Sequence, residues 1–260
     1  MYRDKENELM RYLQLEGVLK MSDVVNRLQV SESTARRMFL KLEEEGRALR
    51  IHGGIRYASP AFQDYSFDQL VKENILEKKS IAALAVEQLK DGDVVFCDSG
   101  TTLSCFCMEL VHSMEKHKLD LKFYTNSLAN FEILVSKVPV TLIGGEFRND
   151  RQDFYGYLAE SVLEKLHFTK CLMGADGYSE SKECFTATDF ATAKLNEIAA
   201  ANSKEVMILC SSDKFFKQAH VSYIGLSSVD KVITDDSVDE EIRQSLENRG
   251  VQVLTGKVER

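Results

Sequence analysis

Apolar residues recur at helical spacing in the first part of the chain. Leu9, Met10 and Leu13 predict a helix over residues 5–16, and a shorter helix is predicted over Asp23–Leu28. A tight turn then leads into a third helix. This succession of short amphipathic helices predicts a small helical domain at the start of the chain.

The third helix has an apolar side and a polar side. Ala35, Phe39 and Leu42 share the side that faces a core. The other side begins with hydroxyl groups and continues with an arginine pair, in the order Ser31, Ser33, Thr34, Arg36 and Arg37. Hydroxyl groups suit phosphate oxygens, and arginines suit phosphates or guanine edges. Two helices joined by a tight turn, with such a surface on the second, are typical of a helix-turn-helix reading head.

A short hairpin is predicted behind the third helix. Residues 48–57 contain Gly53-Gly54 at the position of a turn, and Arg50 and His52 would lie near the DNA backbone. We therefore predict a winged helix-turn-helix domain over residues 1–58 that binds double-stranded operator DNA. The alternative at this point is a helical domain that binds a protein partner through a solvated basic face.

The rest of the chain alternates between apolar strands and amphipathic helices. Residues 59–76 lack such a pattern and are predicted to be a linker. Beyond them, strands are predicted near Val94–Cys97, Lys122–Tyr124, Val140–Ile143, Cys171–Met173, Val206–Cys210 and Lys231–Thr234, and helices over Glu77–Leu89, Leu103–His112, Leu128–Ser136, Phe190–Asn202 and Val238–Asn248. This alternation predicts a mostly parallel α/β domain over residues 77–260.

Polar and glycine-rich motifs follow the ends of the predicted strands. They are Asp98-Ser99-Gly100-Thr101-Thr102, Thr125-Asn126-Ser127, Gly144-Gly145, Gly174-Ala175-Asp176-Gly177 and Ser211-Ser212-Asp213-Lys214. The carboxyl ends of parallel strands line one crevice, which is where such sheets bind ligands. We therefore expect these motifs to converge on one site.

The predicted crevice suits a phosphorylated polyol. At Ser99–Thr102 a glycine lets the backbone approach closely and a helix begins with free N–H groups, a combination that favours an anion. Lys214 adds an ammonium group, while Asp98 and Asp176 can accept hydrogen bonds from sugar hydroxyls. No cofactor is expected.

The net charge of −8 is unevenly distributed along the chain. Residues 1–60 hold eleven Lys and Arg against nine Asp and Glu, a net charge of +2, whereas the remaining residues hold 22 against 32, a net charge of −10. Attraction to phosphates depends on the local field, so the overall acidity does not exclude DNA binding. The N-terminus has no signal-peptide core, and no apolar run is long enough for a membrane helix. A cytoplasmic protein that contacts no membrane is therefore expected.

The six cysteines lie at scattered, mostly apolar positions, which predicts reduced and buried thiols. Cys105 and Cys107 with His112 resemble a set of metal ligands. Residues two apart in a helix do not share a face, however, so no metal site is predicted there.

Both halves of the chain resemble the DeoR/GlpR type of bacterial repressor. The resemblance rests on Ser31–Arg37 and Arg50–Gly54 in the first half, and on the strand-end motifs, Ile143-Gly144-Gly145, Lys194 and Val232–Asp235 in the second. It implies a pocket for a phosphorylated sugar, to which Lys194 would contribute. Met38 stands where the family usually has an aspartate, so the family's operator preference is not carried over.

We therefore predict a repressor of a carbohydrate-metabolism operon that a phosphorylated sugar releases from its operator. A single reading head binds weakly, so a homo-oligomer, dimer or tetramer, is expected. The sensor half is also similar to ribose-5-phosphate isomerase, which leaves an isomerase-like enzyme with a DNA-binding appendage as the alternative. Neither Asp189 nor Glu197 is clearly placed to act as the catalytic base of such an enzyme, so binding without chemistry is favoured.

Overall fold

The chain folds as two compact units, residues 1–63 and 64–260. The computed structural model describes residues 2–16, 18–44, 47–51, 53–57, 67–114 and 119–259. The predicted linker spans residues 59–76. Its first part, residues 59–66, lies outside the described residues. Its remainder, from Phe67 onward, consists of helix and turn and belongs to the second unit.

The first unit combines short helices with a small antiparallel sheet. Its elements are α1 (Tyr2–Glu16), β1 (Val18–Lys20), α2 (Met21–Leu28), α3 (Glu32–Glu44), β2 (Ala48–Ile51) and β3 (Gly54–Tyr57). The strands pair in the order β1-β3-β2. Apolar side chains from the three helices and the sheet form one buried core that includes Leu13, Val24, Phe39 and Ile55. The predicted winged helix-turn-helix architecture is confirmed.

The second glycine of the predicted turn has a packing role. Gly54 begins β3 and pairs with Lys20 of β1. A Cβ atom at position 54 would lie 2.2 Å from the carbonyl oxygen of Leu19. Because no real Cβ contact is that short, the two strands can approach each other only if this position is glycine.

The second unit is built around a parallel sheet. Its elements are α4 (Phe67–Leu70), α5 (Ile75–Glu87), β4 (Val94–Cys97), α6 (Thr101–Ser113), β5 (Lys122–Thr125), α7 (Leu128–Leu134), β6 (Val140–Leu142), β7 (Glu146–Arg148), β8 (Asp153–Tyr155), α8 (Tyr157–Leu163), β9 (Phe168–Met173), β10 (Gly177–Ser179), β11 (Cys184–Ala187), α9 (Phe190–Ala201), β12 (Ser203–Leu209), β13 (Val221–Gly225), β14 (Lys231–Asp235), α10 (Glu240–Glu247) and β15 (Gln252–Gly256). Strands β10, β11 and β13 form a small antiparallel sheet, and β7 and β8 form a hairpin.

The order of the parallel strands places a switch point beside β4. The main sheet runs β15-β14-β12-β9-β4-β5-β6. From β4 the chain moves outward to β5 and β6, then returns to β9 on the other side of β4. In open parallel sheets, the crevice at such a reversal is where ligands bind.

The strands of the main sheet are buried on both faces. Phe96, Cys171 and Ile208 pack into a core with α8, α9 and α10. Their neighbours along the strands point to the other face, where they pack with α5, α6 and α7. Near-continuous apolar runs in parallel strands are expected for a sheet covered on both sides. The predicted α/β fold class is confirmed.

Candidate functional site

The hydroxyl groups at the start of α3 form one local cluster. Ser31 precedes the helix, and its Oγ accepts a hydrogen bond from the backbone N–H of Thr34 at 3.2 Å. The same oxygen lies 2.9 Å from the hydroxyls of Ser33 and Thr34. Ser31 therefore acts as the N-cap of α3, and the three side chains present a partly hydrogen-bonded polar rim.

The two arginines of α3 lie on its exposed side. Arg36 donates to Glu32 at 2.6 Å, one helical turn away, and both side chains are mostly exposed. Arg37 is exposed as well. An exposed ion pair of this kind contributes roughly 0.2–1 kcal/mol, so a DNA phosphate can compete for the guanidinium of Arg36.

The inward side of α3 is as predicted, with one addition. Ala35, Phe39 and Leu42 are buried, and Met38 is fully buried beside them. The position at which the resemblance calls for an aspartate therefore belongs to the core. Whatever base or phosphate an aspartate contacts there in other chains, Met38 does not offer that contact.

The predicted wing residues differ in what the structure describes. Arg50 on β2 donates through Nε to Glu43 at 2.5 Å, and its backbone N–H donates to the same carboxylate at 3.2 Å. These hydrogen bonds lower the pKa of Glu43. They also join the end of α3 to the wing sheet. His52 lies outside the described residues.

The second unit contains a polar cavity at the carboxyl ends of β4, β9 and β12. Of the predicted effector residues, Asp98, Ser99, Gly100, Thr101, Thr102, Asp176 and Lys214 line it. Other lining residues are Leu70, Glu73, Asn74, Lys78, Leu103, Arg151, Gly174, Ala175, Ala187, Thr192, Asn196, Leu209, Ser211 and Asp213. The cavity therefore occupies the switch point of the sheet.

The remaining predicted residues, Thr125, Asn126, Ser127, Gly144, Gly145 and Lys194, are not among those that line the cavity. Ser127 is the N-cap of α7, and its Oγ accepts the backbone N–H of Asn130 at 3.2 Å. Asn126 donates to the carbonyl of Phe154 at 3.1 Å, which fixes β8. Lys194 is exposed on α9. The contacts of Asn126 and Ser127 therefore position β8 and α7, which neighbour the cavity.

Several residues that line the cavity carry positive charge or have backbone N–H groups that are unpaired within their helix. Gly100, with φ +129°, precedes α6, so the first N–H groups of the helix face outward from its N-terminus. Lys78 of α5 and Lys214 line the same cavity. The Lys78 side chain is buried and its Nζ donates to the carbonyl of Leu70. Burial, and to a smaller degree the neighbouring Lys214, lower the pKa of Lys78.

Other groups that line the cavity are hydrogen-bond acceptors. The Oδ1 of Asp98 accepts from the backbone N–H of Ser99 at 2.6 Å, and its Oδ2 accepts from Asn196 Nδ2 at 3.1 Å. Burial raises the pKa of Asp98 to about 7 against these hydrogen bonds. Asn196 Oδ1 is buried and has no hydrogen-bond partner among the described residues. A buried amide oxygen without a donor costs about 1–3 kcal/mol, which a ligand hydroxyl can recover.

Two arginines lie beside these acceptors: Arg151, which lines the cavity, and Arg148 of β7, which donates to the lining residue Thr192. Arg148 donates to both oxygens of Asp153 at 2.8 and 2.7 Å and to Asp189 at 2.9 Å. Burial alone would lower the pKa of Arg148, but these carboxylates raise it above its ordinary value. Arg151 lies 3.4 Å from Asp176 and 3.3 Å from Asp189.

The network reaches the turn at Ser99–Thr102, here called the cradle, through one hydroxyl. Ser99 donates to Asp153 Oδ2 at 2.9 Å. Because Asp153 is fully buried and bound by Arg148, the cradle and the β7–β8 hairpin are held in one arrangement. Burial would raise the pKa of Asp189, which caps α9, but its hydrogen bonds to Thr192 and the two arginines lower it.

A third group of contacts surrounds Asp213. Lys217 lies 2.6 Å from its carboxylate, and Asn74 donates to it at 3.1 Å. Burial would raise the pKa of Asp213, but Lys217 and Lys214 lower it to about 2. Asp213 therefore stays ionised and holds the ammonium group of Lys217 in place.

Sequence reasoning missed Lys78, Asn196 and Arg151. The sequence does contain a pattern that could have identified the first two. Lys78 shares one face of α5 with the buried Ile81 and Ala82, and Asn196 occupies the buried face of α9. A polar residue at a core position of an amphipathic helix indicates a buried partner or a ligand. Arg151 lies in a loop without such periodicity.

Comparison with known proteins decides the family. A model described as "DeoR-like helix-turn-helix domain" matches residues 5–61, and one described as "DeoR C terminal sensor domain" matches residues 73–236. The chain belongs to the DeoR family.

Curated relatives of this DeoR-family chain are named "Lactose phosphotransferase system repressor". The one from Streptococcus mutans serotype c is 32% identical and covers 93% of this chain and 95% of its own length. The one from Staphylococcus epidermidis is 31% identical over 94% and 96%, and the one from Staphylococcus aureus is 30% identical over 92% and 94%. The chain is a DNA-binding transcriptional repressor of a sugar operon and not an enzyme.

Solved structures resemble the chain more distantly. Ribose 5-phosphate isomerase A from Methanocaldococcus jannaschii gives a TM-score of 0.42 at 19% identity and covers 55% of each chain. The translation initiation factor eIF-2B of Pyrococcus horikoshii OT3 gives 0.43 at 12% identity over 88% of this chain and 86% of that one. Across the described residues, no helix has the length and apolar character that crossing a bilayer requires.

Proposed function

We propose that this DeoR-family repressor binds a phosphorylated sugar in the cavity of its second unit and that the bound sugar releases the operator. The observation that carries the proposal is that two kinds of group line one cavity: two lysines with a helix N-terminus, and several hydrogen-bond acceptors. A phosphate and a polyol chain need those two kinds of group. A neutral sugar would not need the lysines and the helix N-terminus.

The phosphate end lies at the N-terminus of α6. Gly100–Thr102, Lys78 and Lys214 line the same cavity, and we assign the phosphate to their N–H and ammonium groups. A helix N-terminus with two lysines favours a dianion. The bound dianion also stabilises the charged form of Lys78, whose pKa is otherwise lowered by burial.

The sugar end lies between Asp98, Asn196, Asp176 and Arg151. Asp98 and Asp176 accept hydrogen bonds from hydroxyl donors, and the unpaired Asn196 Oδ1 needs one. Arg151 donates to a hydroxyl or carbonyl oxygen. These groups orient the sugar while the phosphate supplies most of the charge attraction.

The names of the relatives support the ligand class. They join a sugar, lactose, to a phosphotransferase system. Phosphates of the hexoses contained in lactose are therefore the first ligands to test.

On the DNA side, α3 enters the major groove of each operator half-site. Ser33, Thr34, Arg36 and Arg37 contact phosphates and base edges, Ser31 caps the helix, and the wing with Arg50 and His52 contacts the backbone. Ligand binding lowers operator affinity because the sugar phosphate binds more tightly to the arrangement of subunits that does not fit the operator.

Differential scanning fluorimetry tests the ligand. A panel of aldose and ketose hexose phosphates is compared with the parent sugars and with inorganic phosphate. A phosphorylated sugar is expected to raise Tm by mass action, and the parent sugar is not. If parent sugars stabilise the chain and their phosphates do not, the phosphate end is wrong.

Matched lysine variants locate the site. Lys78→Met and Lys214→Met should each weaken binding of the stabilising phosphate by at least tenfold in isothermal titration calorimetry. Lys194→Met, an exposed lysine on α9 outside the cavity, should bind like wild type. Fluorescence anisotropy with the DNA upstream of the gene then tests release: the same phosphate must lower operator affinity, and a ligand that binds without doing so contradicts the regulatory half of the proposal.

A further inference from the structure

Helix α8 exposes an unusual amount of apolar surface. Tyr157 and Leu158 are 80% and 66% exposed, and Val162, one turn further, is 45% exposed. Isolated apolar residues on a surface are common, but neighbouring ones on a single helix face form a patch.

The helix has two apolar sides, and among the described residues of the second unit only one of them is packed. Ala159 and Leu163 pack into the core of the second unit. The opposite side, which we call the α8 face, consists of Tyr157 and the residues one, four and five positions after it: Leu158, Ser161 and Val162. None of these four residues is charged, and the nearest charged residues, Glu160 of the helix and Glu164 at its C-cap, lie along one edge of this side. Surfaces that become the centre of an interface are depleted in charge and enriched in tyrosine and phenylalanine.

Two aromatic side chains lie on the elements that adjoin α8. Phe190, the first residue of α9, is 81% exposed, and Phe147 of β7 is partly exposed. Strand β8 leads into α8 through Gly156, and Asn202 after α9 donates to the carbonyl of Leu163 in α8 at 3.0 Å. Exposed apolar side chains therefore occur on α8 and also on β7 and α9 of the same unit.

The exposed apolar area of these residues is more than half of one side of a typical protein interface. If each aromatic side chain can bury roughly 150–250 Å², these five apolar residues expose on the order of 500 Å². The largest apolar patch of a typical monomer is about 300–600 Å², and one partner of a stable interface buries about 800 Å². The apolar residues therefore supply more than half of what a dimer interface requires, and a polar rim supplies the rest.

We infer that the α8 face is the surface through which two copies of this chain associate. A second copy is the occupant because a helix-turn-helix repressor reads two half-sites and needs two heads. A two-fold axis crossing α8 brings the same face of each copy together, so that Leu158 and Val162 of one protomer pack on those of the other. The need for two heads follows from the DNA-binding function, but the assembly itself is measured without DNA or sugar phosphate.

Sedimentation velocity of the full chain over a concentration series tests the inference. Wild type should sediment as a dimer or a larger even-numbered oligomer. The double variant Leu158→Glu, Val162→Glu should raise the dimer dissociation constant at least 100-fold. Met108→Glu and Val135→Glu are the matched controls, because both residues are apolar, helical or helix-terminal and about half exposed. The controls should assemble like wild type.

A disulfide trap keeps the inference testable if the charged variant fails to fold. All six native cysteines are buried, so an added surface cysteine dominates cross-linking. Leu158→Cys should form a covalent dimer under mild oxidation at a rate at least tenfold above that of Met108→Cys. A monomeric wild type, unchanged assembly of the double variant, or equal cross-linking at the two positions would each overturn the inference. Retained assembly with no response to sugar phosphates would instead contradict the proposed effector and leave the interface standing.

Discussion

Two arginine–carboxylate pairs show how differently the two units use charge. Arg36 of α3 pairs with Glu32 at 2.6 Å, and both side chains face solvent. Arg148 of β7 pairs with Asp153 at 2.7 Å, but its side chain is only 15% exposed and that of Asp153 is fully buried. In the first pair, a DNA phosphate can replace Glu32 as the partner of Arg36. The second is part of the scaffold that shapes the sensor cavity.

The contrast follows from solvation. An exposed pair gains little because water screens it, and it can be exchanged for a DNA phosphate at low cost. A buried pair cannot lose one partner without leaving a charge in a medium that solvates it poorly. A regulator of this kind needs both: charges that bind reversibly on the outside, and charges that hold the cavity in one shape.

The largest expected effect comes from breaking the buried pair. Arg148→Met should lower the free energy of unfolding by about 3–5 kcal/mol, because Asp153 and Asp189 lose their shared cation. Arg36→Met should change it by less than about 1 kcal/mol. Urea unfolding at pH 7 measures both. Equal losses for the two variants would remove the distinction between scaffold and surface pairs.

A pH profile measures how strongly the cavity penalises charge at Asp98. Its pKa is about 7 in the folded chain, above the ordinary value of 3.8. Stability contributed by the protonated form is fully present below pH 4 and is lost as the pH rises through 7. Asp98→Asn should therefore reduce the loss of unfolding free energy between pH 5 and pH 8 by on the order of 2 kcal/mol.

Denaturation curves of wild type and Asp98→Asn at pH 5 and pH 8 provide the measurement, since groups common to both proteins cancel in the difference. Asp213 offers a contrast, because its pKa is lowered to about 2 and it stays ionised over this range. A pH dependence identical in wild type and variant would mean that Asp98 is charged at pH 5.

A loss of operator affinity without a loss of stability is expected on the other side of the comparison. Arg37→Ala should weaken operator binding by about 1–2 kcal/mol, roughly five- to thirtyfold, and lower the salt dependence of binding. Its urea midpoint should equal that of wild type. Arg243→Ala, on the exposed side of α10, is the control for anisotropy measurements. An Arg37 variant that binds the operator normally would remove α3 from the DNA interface.

The same contrast explains how much could be predicted from the sequence. Helical periodicity alone predicts which residues of α3 are exposed. The burial of Ala35, Phe39 and Leu42 confirms which side of the helix faces the core. Six of the seven strands in the main sheet were predicted because each is an apolar run, and a polar motif follows five of them; β15 was not predicted. Where the motif follows β4, β9 or β12, residues of the motif line the cavity.

The prediction was incomplete where tertiary packing decides. Thr125–Ser127 follow a strand end as Asp98 does, but β5 lies one strand away from the switch point, and these residues cap α7 instead. The β7–β8 hairpin and α8 were not predicted, because three-residue strands and a seven-residue helix carry too little periodicity. Arg148 and Arg151, which border the cavity, come from that stretch.

The smallest expected effect tests whether the exposed pair on α3 is indeed replaceable. Glu32→Gln removes the partner of Arg36 and should lower the free energy of unfolding by only about 0.2–0.5 kcal/mol, as for other pairs one turn apart. Operator affinity should rise, at most about threefold, for two reasons. Arg36 no longer has to break an ion pair with Glu32 before it binds a phosphate, and a negative charge near the DNA is removed. Anisotropy at low and high salt separates the two contributions, since the gain should shrink as salt screens it. A fall in affinity would mean that Glu32 positions Arg36 for DNA, and that the surface pair shares the scaffold role seen in the cavity.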